Sequence, residues 1–189
     1  MLALLLFSAQ WLELTLERQH GDAWKPVAPG LVLESGAKVR FQFQTNFTGF
    51  VYVVNHGSSG ARAMLFPSPD AGMNNHVREG KTYPVPAAEA AFRVSGPEGH
   101  DVVYWILSPR ALGEAEALSL AREAAPEPKL IPRCDESLLR ARGECVDTKA
   151  GPRLVSRELS IVQKDERTRV SVTSPLARPL VYQYRLAHR

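Results

Sequence analysis

The sequence predicts a mainly β protein, an Ig-like antiparallel sandwich with one or two short helices inserted before its last strands. Three stretches lead to that class. Val39, Phe41, Phe43 and Thr45 alternate with Arg40, Gln42 and Gln44, the period-2 pattern of a strand with one buried face. Leu12, Leu14 and Leu16 do the same between Trp11 and Arg18. Asp101–Leu107, DVVYWIL, is apolar almost throughout, as in a strand covered on both sides.

Residues 1–9, MLALLLFSA, are apolar and carry no Lys or Arg. They are too short to span a bilayer and read as the tail of a secretory signal peptide in preference to a buried first strand. Residues 10–189 are then a single sandwich domain, with 110–153 a helical and loop insertion that holds both cysteines. Strand Trp11–Arg18 ends at the Gly21-Asp22 turn, and Pro26, Pro29 and Gly30 keep the following link irregular apart from a short edge piece at Leu31–Glu34. The Val39–Thr45 strand stops at Asn46-Phe47-Thr48-Gly49, where Asn and Gly favour a tight reversal. Phe50–Asn55 is expected to return beside it as a hairpin. A second reversal at 56–60 leads to Arg62–Phe66, completing a three-stranded meander that ends at Pro67.

The next segment, Ser68–Gly80, has no sustained apolar period and reads as a loop about a dozen residues long, a length often reserved for binding or motion. Tyr83–Pro86 and Ala91–Val94 read as short strands before the 96–99 turn. Leu112–Ala125 is built of strong helix formers and halts before Pro126 and Pro128. Asp135–Arg142 forms a second helix capped by Gly143. Leu154–Val162, Arg169–Thr173 and Leu180–Leu186 return to strand character, for about nine strands in all.

Composition is that of a soluble globular chain, 44% hydrophobic and 23% charged over 189 residues, enough to bury one good core. The net +3 conceals an asymmetry: residues 133–189 hold 12 Lys and Arg against 7 Asp and Glu, a net +5, and residues 1–132 hold 11 against 13, a net −2. The basic third has its charges interspersed, so it reads as a solvated surface and no nucleic-acid partner is expected.

Several stretches taken together resemble an uncharacterised bacterial domain-of-unknown-function family. They are Ser35-Gly36-Ala37-Lys38-Val39-Arg40-Phe41, Gly49-Phe50-Val51-Tyr52-Val53, Asn55-His56-Gly57-Ser58-Ser59-Gly60, Leu65-Phe66-Pro67, Asn75-His76-Val77-Arg78-Glu79-Gly80 and Phe92-Arg93-Val94-Ser95-Gly96-Pro97-Glu98-Gly99. Ala37 stands where the pattern often has Asp. The resemblance implies an accessory β-rich domain, often attached to caspase-like peptidases or protein kinases or found in exported proteins, with no catalysis of its own.

The chemistry-bearing residues agree with that expectation. Ser58 and Ser59 lie in a glycine-flanked turn with neither the spacing nor the following helix of a nucleophile elbow. His20, His56, His76, His100 and His188 are scattered singly, without the paired spacing zinc prefers. Asp70, Asn74, Asn75 and His76 share one loop, but a single carboxylate is a poor calcium set. No cofactor is expected. Cys134 and Cys145 are read as a disulfide in preference to free thiols. A straight helix between them would span about 12 Å, so Gly143 must fold the chain back for the bridge to close. Phe41, Phe43, Phe50, Tyr52 and Phe66 read as core, not as a base-stacking platform.

The function expected is therefore a non-catalytic protein-binding or scaffolding module, exported to the periplasm or beyond, with a protein partner in the cell envelope and no transmembrane helix. Its recognition surface is placed on Asp70, Asn74, Asn75, His76 and Arg78. The competing readings are a hydrolase assembled from sequence-distant His, Asp and Ser or Cys, and a carbohydrate- or wall-binding module with an exposed aromatic platform at Trp24 or Tyr83.

Overall fold

The computed structural model describes residues 9–87, 90–122, 131–153, 159–172 and 177–189. In chain order its strands are β1 (Gln10–His20), β2 (Ala23–Pro26), β3 (Val32–Leu33), β4 (Lys38–Thr45), β5 (Gly49–His56), β6 (Arg62–Phe66), β7 (His76–Val77), β8 (Thr82–Val85), β9 (Phe92–Arg93), β10 (Gly99–Ser108), β11 (Gly151–Arg153), β12 (Leu159–Lys164), β13 (Arg167–Val172) and β14 (Leu180–His188). The helices α1 (Glu114–Leu120) and α2 (Glu136–Arg142) lie between β10 and β11.

Two sheets form a β-sandwich. One runs β12-β13-β1-β4-β8, with β2 on β1 and β9 on β4; the other runs β11-β14-β10-β5-β6, with β3 parallel to β14 and β7 on β5. Alternation sets which side chains meet. Leu12, Leu14 and Leu16 stand opposite Thr45, Phe43 and Phe41 in the β1–β4 register, so both strands bury the same face. Facing them from the second sheet are Val51, Val53, Val103, Trp105, Tyr182 and Tyr184. The Phe41 ring meets Trp105 and Tyr184 edge-on with centroids 5.3 Å away in each case, the geometry that the ring quadrupoles favour.

The second sheet is covered on its other side too. Tyr52, Val54, Val102, Tyr104 and Ile106 pack against Leu112, Ala117 and Ala121 around α1. The Tyr52 hydroxyl accepts from the Leu112 amide (2.6 Å) and lies 3.1 Å from the Leu112 carbonyl. Both faces of β10 are thus buried, as its apolar run predicts.

The expected β4–β5 hairpin does not form. β4 pairs with β1, β8 and β9, whereas β5 pairs with β10, β6 and β7, so the 46–49 turn is an arch between layers. Asn46 stays with the first sheet, its Oδ1 accepting from the Trp11 amide at 2.7 Å and its Nδ2 donating to the Ala9 carbonyl at 2.9 Å. Phe47 drops into the core. Gly49 is then so closely packed that a Cβ would lie 2.7 Å from the Ser108 carbonyl oxygen. Only the β5–β6 half of the predicted meander is a hairpin.

Other departures are smaller. The first helix covers Glu114–Leu120 and not 112–125, because Leu112 is tied to Tyr52 and the chain leaves the helix at Ala121; residues 123–130 lie outside the described residues, as do 1–8, 154–158 and Thr173. Among the described residues there are fourteen strands and not about nine; β3 and β9 fall within the expected pieces at Leu31–Glu34 and Ala91–Val94, whereas β2, β7 and β11 have only two to four residues each, too few for a period to show. The second helix has Asp135 as its N-cap, accepting from the Leu138 amide at 3.0 Å, and Gly143 at φ 68° as its C-cap. That left-handed turn brings Cys134 and Cys145 into a disulfide with Cα atoms 4.8 Å apart.

Two substitutions test this architecture. Phe43 is 1% exposed and packs on Tyr83 and Trp105, so Phe43→Ala should cost about 3–5 kcal/mol in urea denaturation. Gly49→Ala should cost about 1–3 kcal/mol through overpacking at the arch, whereas an exposed hairpin turn would leave stability within about 0.5 kcal/mol.

Candidate functional site

The candidate site lies at the end of β5 away from the arch. Between β6 and β9 lies a cleft of about 260 Å³, floored by Phe41 and Val103, each 1% exposed. Its walls come from two turns that stand far apart in sequence, 55–60 and 92–96. The Ser58 hydroxyl joins them, donating to the Pro97 carbonyl at 2.7 Å.

Asp101 holds this end together. It points inward from the start of β10, and its Oδ1 accepts from the Ser58 amide (2.7 Å) and faces Nε2 of His188 (3.2 Å). Its Oδ2 is reached only by the Asn55 amide, at 3.5 Å. Burial by itself would raise the carboxyl pKa, but the hydrogen bonds from His188 and Ser58 outweigh it and hold the group below its ordinary value.

Next to Asp101 but on the other face of the strand, His100 Nε2 lies 3.1 Å from Oδ2 of Asp147. Asp147, 3% exposed, also accepts from the amides of Arg133 (3.0 Å) and Lys149 (2.8 Å), which fastens the disulfide loop to the sheet. His56 packs its ring on Tyr104 at 4.6 Å and accepts from Nε of Arg62 at 2.7 Å. Burial, then the neighbouring guanidinium, lower its pKa from 6.5 to about 4.

Ser58, Asp101 and His188 do meet, but not as a hydrolytic relay. That chemistry needs a His nitrogen on the Ser hydroxyl and a carboxylate behind the ring. Here the carboxylate stands between them, the hydroxyl is committed to Pro97, and His188 is 1% exposed. The aromatic candidates for a sugar platform have their ring faces occupied. Arg40 lies 4.4 Å over Trp24, Arg169 4.3 Å over Trp11, and Tyr83 is held between Phe43 at 5.3 Å and Lys81 at 5.1 Å. Among the described residues no group of three or more His, Cys, Asp or Glu is placed to hold a metal, and no helix is long and apolar enough to cross a membrane.

The recognition residues read from sequence sit at the opposite end of β5. Asp70, Asn74, His76 and Arg78 are exposed, and Asn75 is half-buried with its carbonyl accepting from the Val51 amide at 3.1 Å. The segment is not a bare loop, since β7 within it pairs with Gly49 and Phe50. Sequence reasoning missed the cleft. Its one visible signal was the pair of Gly- and Ser-bearing stretches at 55–60 and 92–99, read there only as turns.

Residues 32–111 match the family model of a domain of unknown function (DUF4384), a span that contains both cleft turns, the 68–80 loop and Asp101. No curated protein and no solved structure matches the chain.

Two of the shifted groups, both at this end of the sandwich, give the acid limb of stability separate windows. His56 is depressed as a base, so the unfolded chain binds its proton first; its contribution is complete above pH 6.5 and declines as pH falls towards about 4. Asp101 is depressed as an acid, so its contribution is complete above its unfolded value and is lost as pH falls through its lower folded value. Urea midpoints measured against pH should have a shallower slope between those first two values in His56→Gln, and a shallower fall at lower pH in Asp101→Asn. Unchanged profiles would contradict the assignment.

Proposed function

We propose that this chain is a non-catalytic protein-binding or scaffolding domain working in an exported bacterial assembly, and that the 68–80 loop is its recognition surface. The observation that carries this reading is a loop whose backbone is fixed and whose side chains are largely exposed, although the His76 ring rests on Phe50 at 5.0 Å and Asn74 Oδ1 accepts from the His76 amide at 3.2 Å. Ser68 and Gly72 are bridged (Gly72 amide to Ser68 carbonyl, 2.8 Å), and the Gly80 amide donates to the Thr45 carbonyl at 2.8 Å. Ala71 and Val77 are both 0% exposed and anchor the segment in the core. From that frame Asp70, Met73, Asn74, His76 and Arg78 project outward, with Met73 68% exposed.

A backbone already ordered before binding loses less entropy on association. A mixture of thioether, amide, imidazole and guanidinium suits a protein surface, and rigid scaffolds carry recognition on such loops. The disulfide Cys134–Cys145 fits an oxidising compartment, where such bonds persist.

Affinity copurification from the native cell envelope, quantified by mass spectrometry, tests the reading. Met73→Ser and Arg78→Ala should each lower partner yield by about tenfold, a loss on the order of 1.4 kcal/mol, while thermal stability stays within about 0.5 kcal/mol. Wild-type yields from both variants would remove the loop as the binding surface.

A further inference from the structure

We infer that the cleft between β6 and β9 receives a lysine or arginine side chain from an extended segment of a protein partner, its aliphatic stem against Phe41, Leu65 and Val103 and its cationic head on Asp101. This rests on the protein-binding reading above and adds the chemistry of what is bound. Size is the first argument: about 260 Å³ is below the range of small-molecule sites and suits one long side chain. Charge is the second. Among the described residues Asp101 is the only carboxylate lining the cleft, and its one ion-pair partner is His188, on Oδ1. Oδ2 keeps only the 3.5 Å contact with Asn55, so it can accept a short charge-assisted hydrogen bond. Arg93 at the rim does not supply it, since its guanidinium lies 3.4 Å from the Gly36 carbonyl.

The third argument is the strand beside the cleft. Among the described residues β6 ends its sheet and no strand pairs with its outer side, although the Ser68 hydroxyl donates to the Leu65 carbonyl at 2.9 Å, so that edge can accept an added strand beside Ala63. Ala63, opposite Asn55 in the β5–β6 register and exposed, is small enough to leave the mouth of the cleft clear. Side chains of an added strand alternate in direction, so a single residue of the partner enters here while its neighbours stay outside.

The test uses the ¹⁵N-labelled chain and three acetylated, amidated pentapeptides, Thr-Val-X-Val-Thr, with Lys, norleucine or Glu at X. The Lys peptide should shift the amides of Ser58, Ala63 and Val103 saturably and bind about tenfold tighter than norleucine, with no binding by Glu. Asp101→Asn should make Lys and norleucine equal. Because that change also removes the His188 contact, Ala63→Phe serves as the second variant, closing the mouth without touching Asp101, and should abolish binding. Equal binding of Lys and Glu, shifts confined to other residues, or full binding by Ala63→Phe would each overturn the assignment. If no peptide binds while Met73→Ser and Arg78→Ala still lose the native partner, the cleft assignment falls and the protein-binding reading stands.

Discussion

The crossing at residues 46–49 sets the rest of the structure. Because Phe47 is buried and Asn46 is held by Trp11 and Ala9, the chain passes from one layer to the other, and β4 and β5 face each other across the core. Each must then find other neighbours for its backbone groups. β4 takes β1, β8 and β9, and β5 takes β10, β6 and β7, pairings that draw distant parts of the chain into two sheets. Side chains from both layers fill the space between them. At the arch Gly49 has no room for a Cβ, which would meet the Ser108 carbonyl of the neighbouring strand in its own sheet and the Phe47 ring. The cleft lies at the other end of β5, beside the two-residue β9.

Two carboxylates at the start of β10 and in the disulfide loop hold the periphery to this frame. Asp101, pointing inward, takes the 55–60 turn and the C-terminal His188; Asp147 takes His100, Arg133 and Lys149 on the outer side. A buried carboxylate is costly unless its oxygens are paired, and Asp147 meets that condition with three donors. Asp101 has two close partners on one oxygen and, on the other, the long 3.5 Å contact with Asn55.

Much of this was legible in residues and their spacing. The alternation of Leu12, Leu14 and Leu16 and of Phe41 and Phe43 identifies the inner faces, and the unbroken apolar run of β10 identifies a strand covered twice. Alternation tells which face is buried but not which strand lies alongside, and so Asn46 to Gly49 read as a hairpin when Phe47 belonged to the core. The cysteine pair was legible through Gly143, whose left-handed φ closes the loop. The cleft was not. Asn55, Ser58, Asp101 and His188 are each unremarkable in their own stretch, and His188 stands 87 residues from its partner; only long-range pairing of β5, β10 and β14 brings them together.

The outer face of the first sheet offers little to a stacking ligand. It carries Trp11 and Trp24, the groups that would stack on a ligand, but each has a guanidinium over it that is in turn bonded to a glutamate: Arg169 to Glu13 at 2.8 Å, Arg40 to Glu17 at 2.6 Å. A ligand would have to displace a cation already satisfied on both sides, losing cation–π and ion-pair contacts before making its own. β6 runs from Arg62 beside the cleft to Phe66 just before the 68–80 loop, so one extended segment lying along its open edge would meet Asp101 at one end and Met73 and Arg78 towards the other. On the reading proposed above, the cleft and the loop would be two parts of one surface, with the partner lying along a strand instead of on a face.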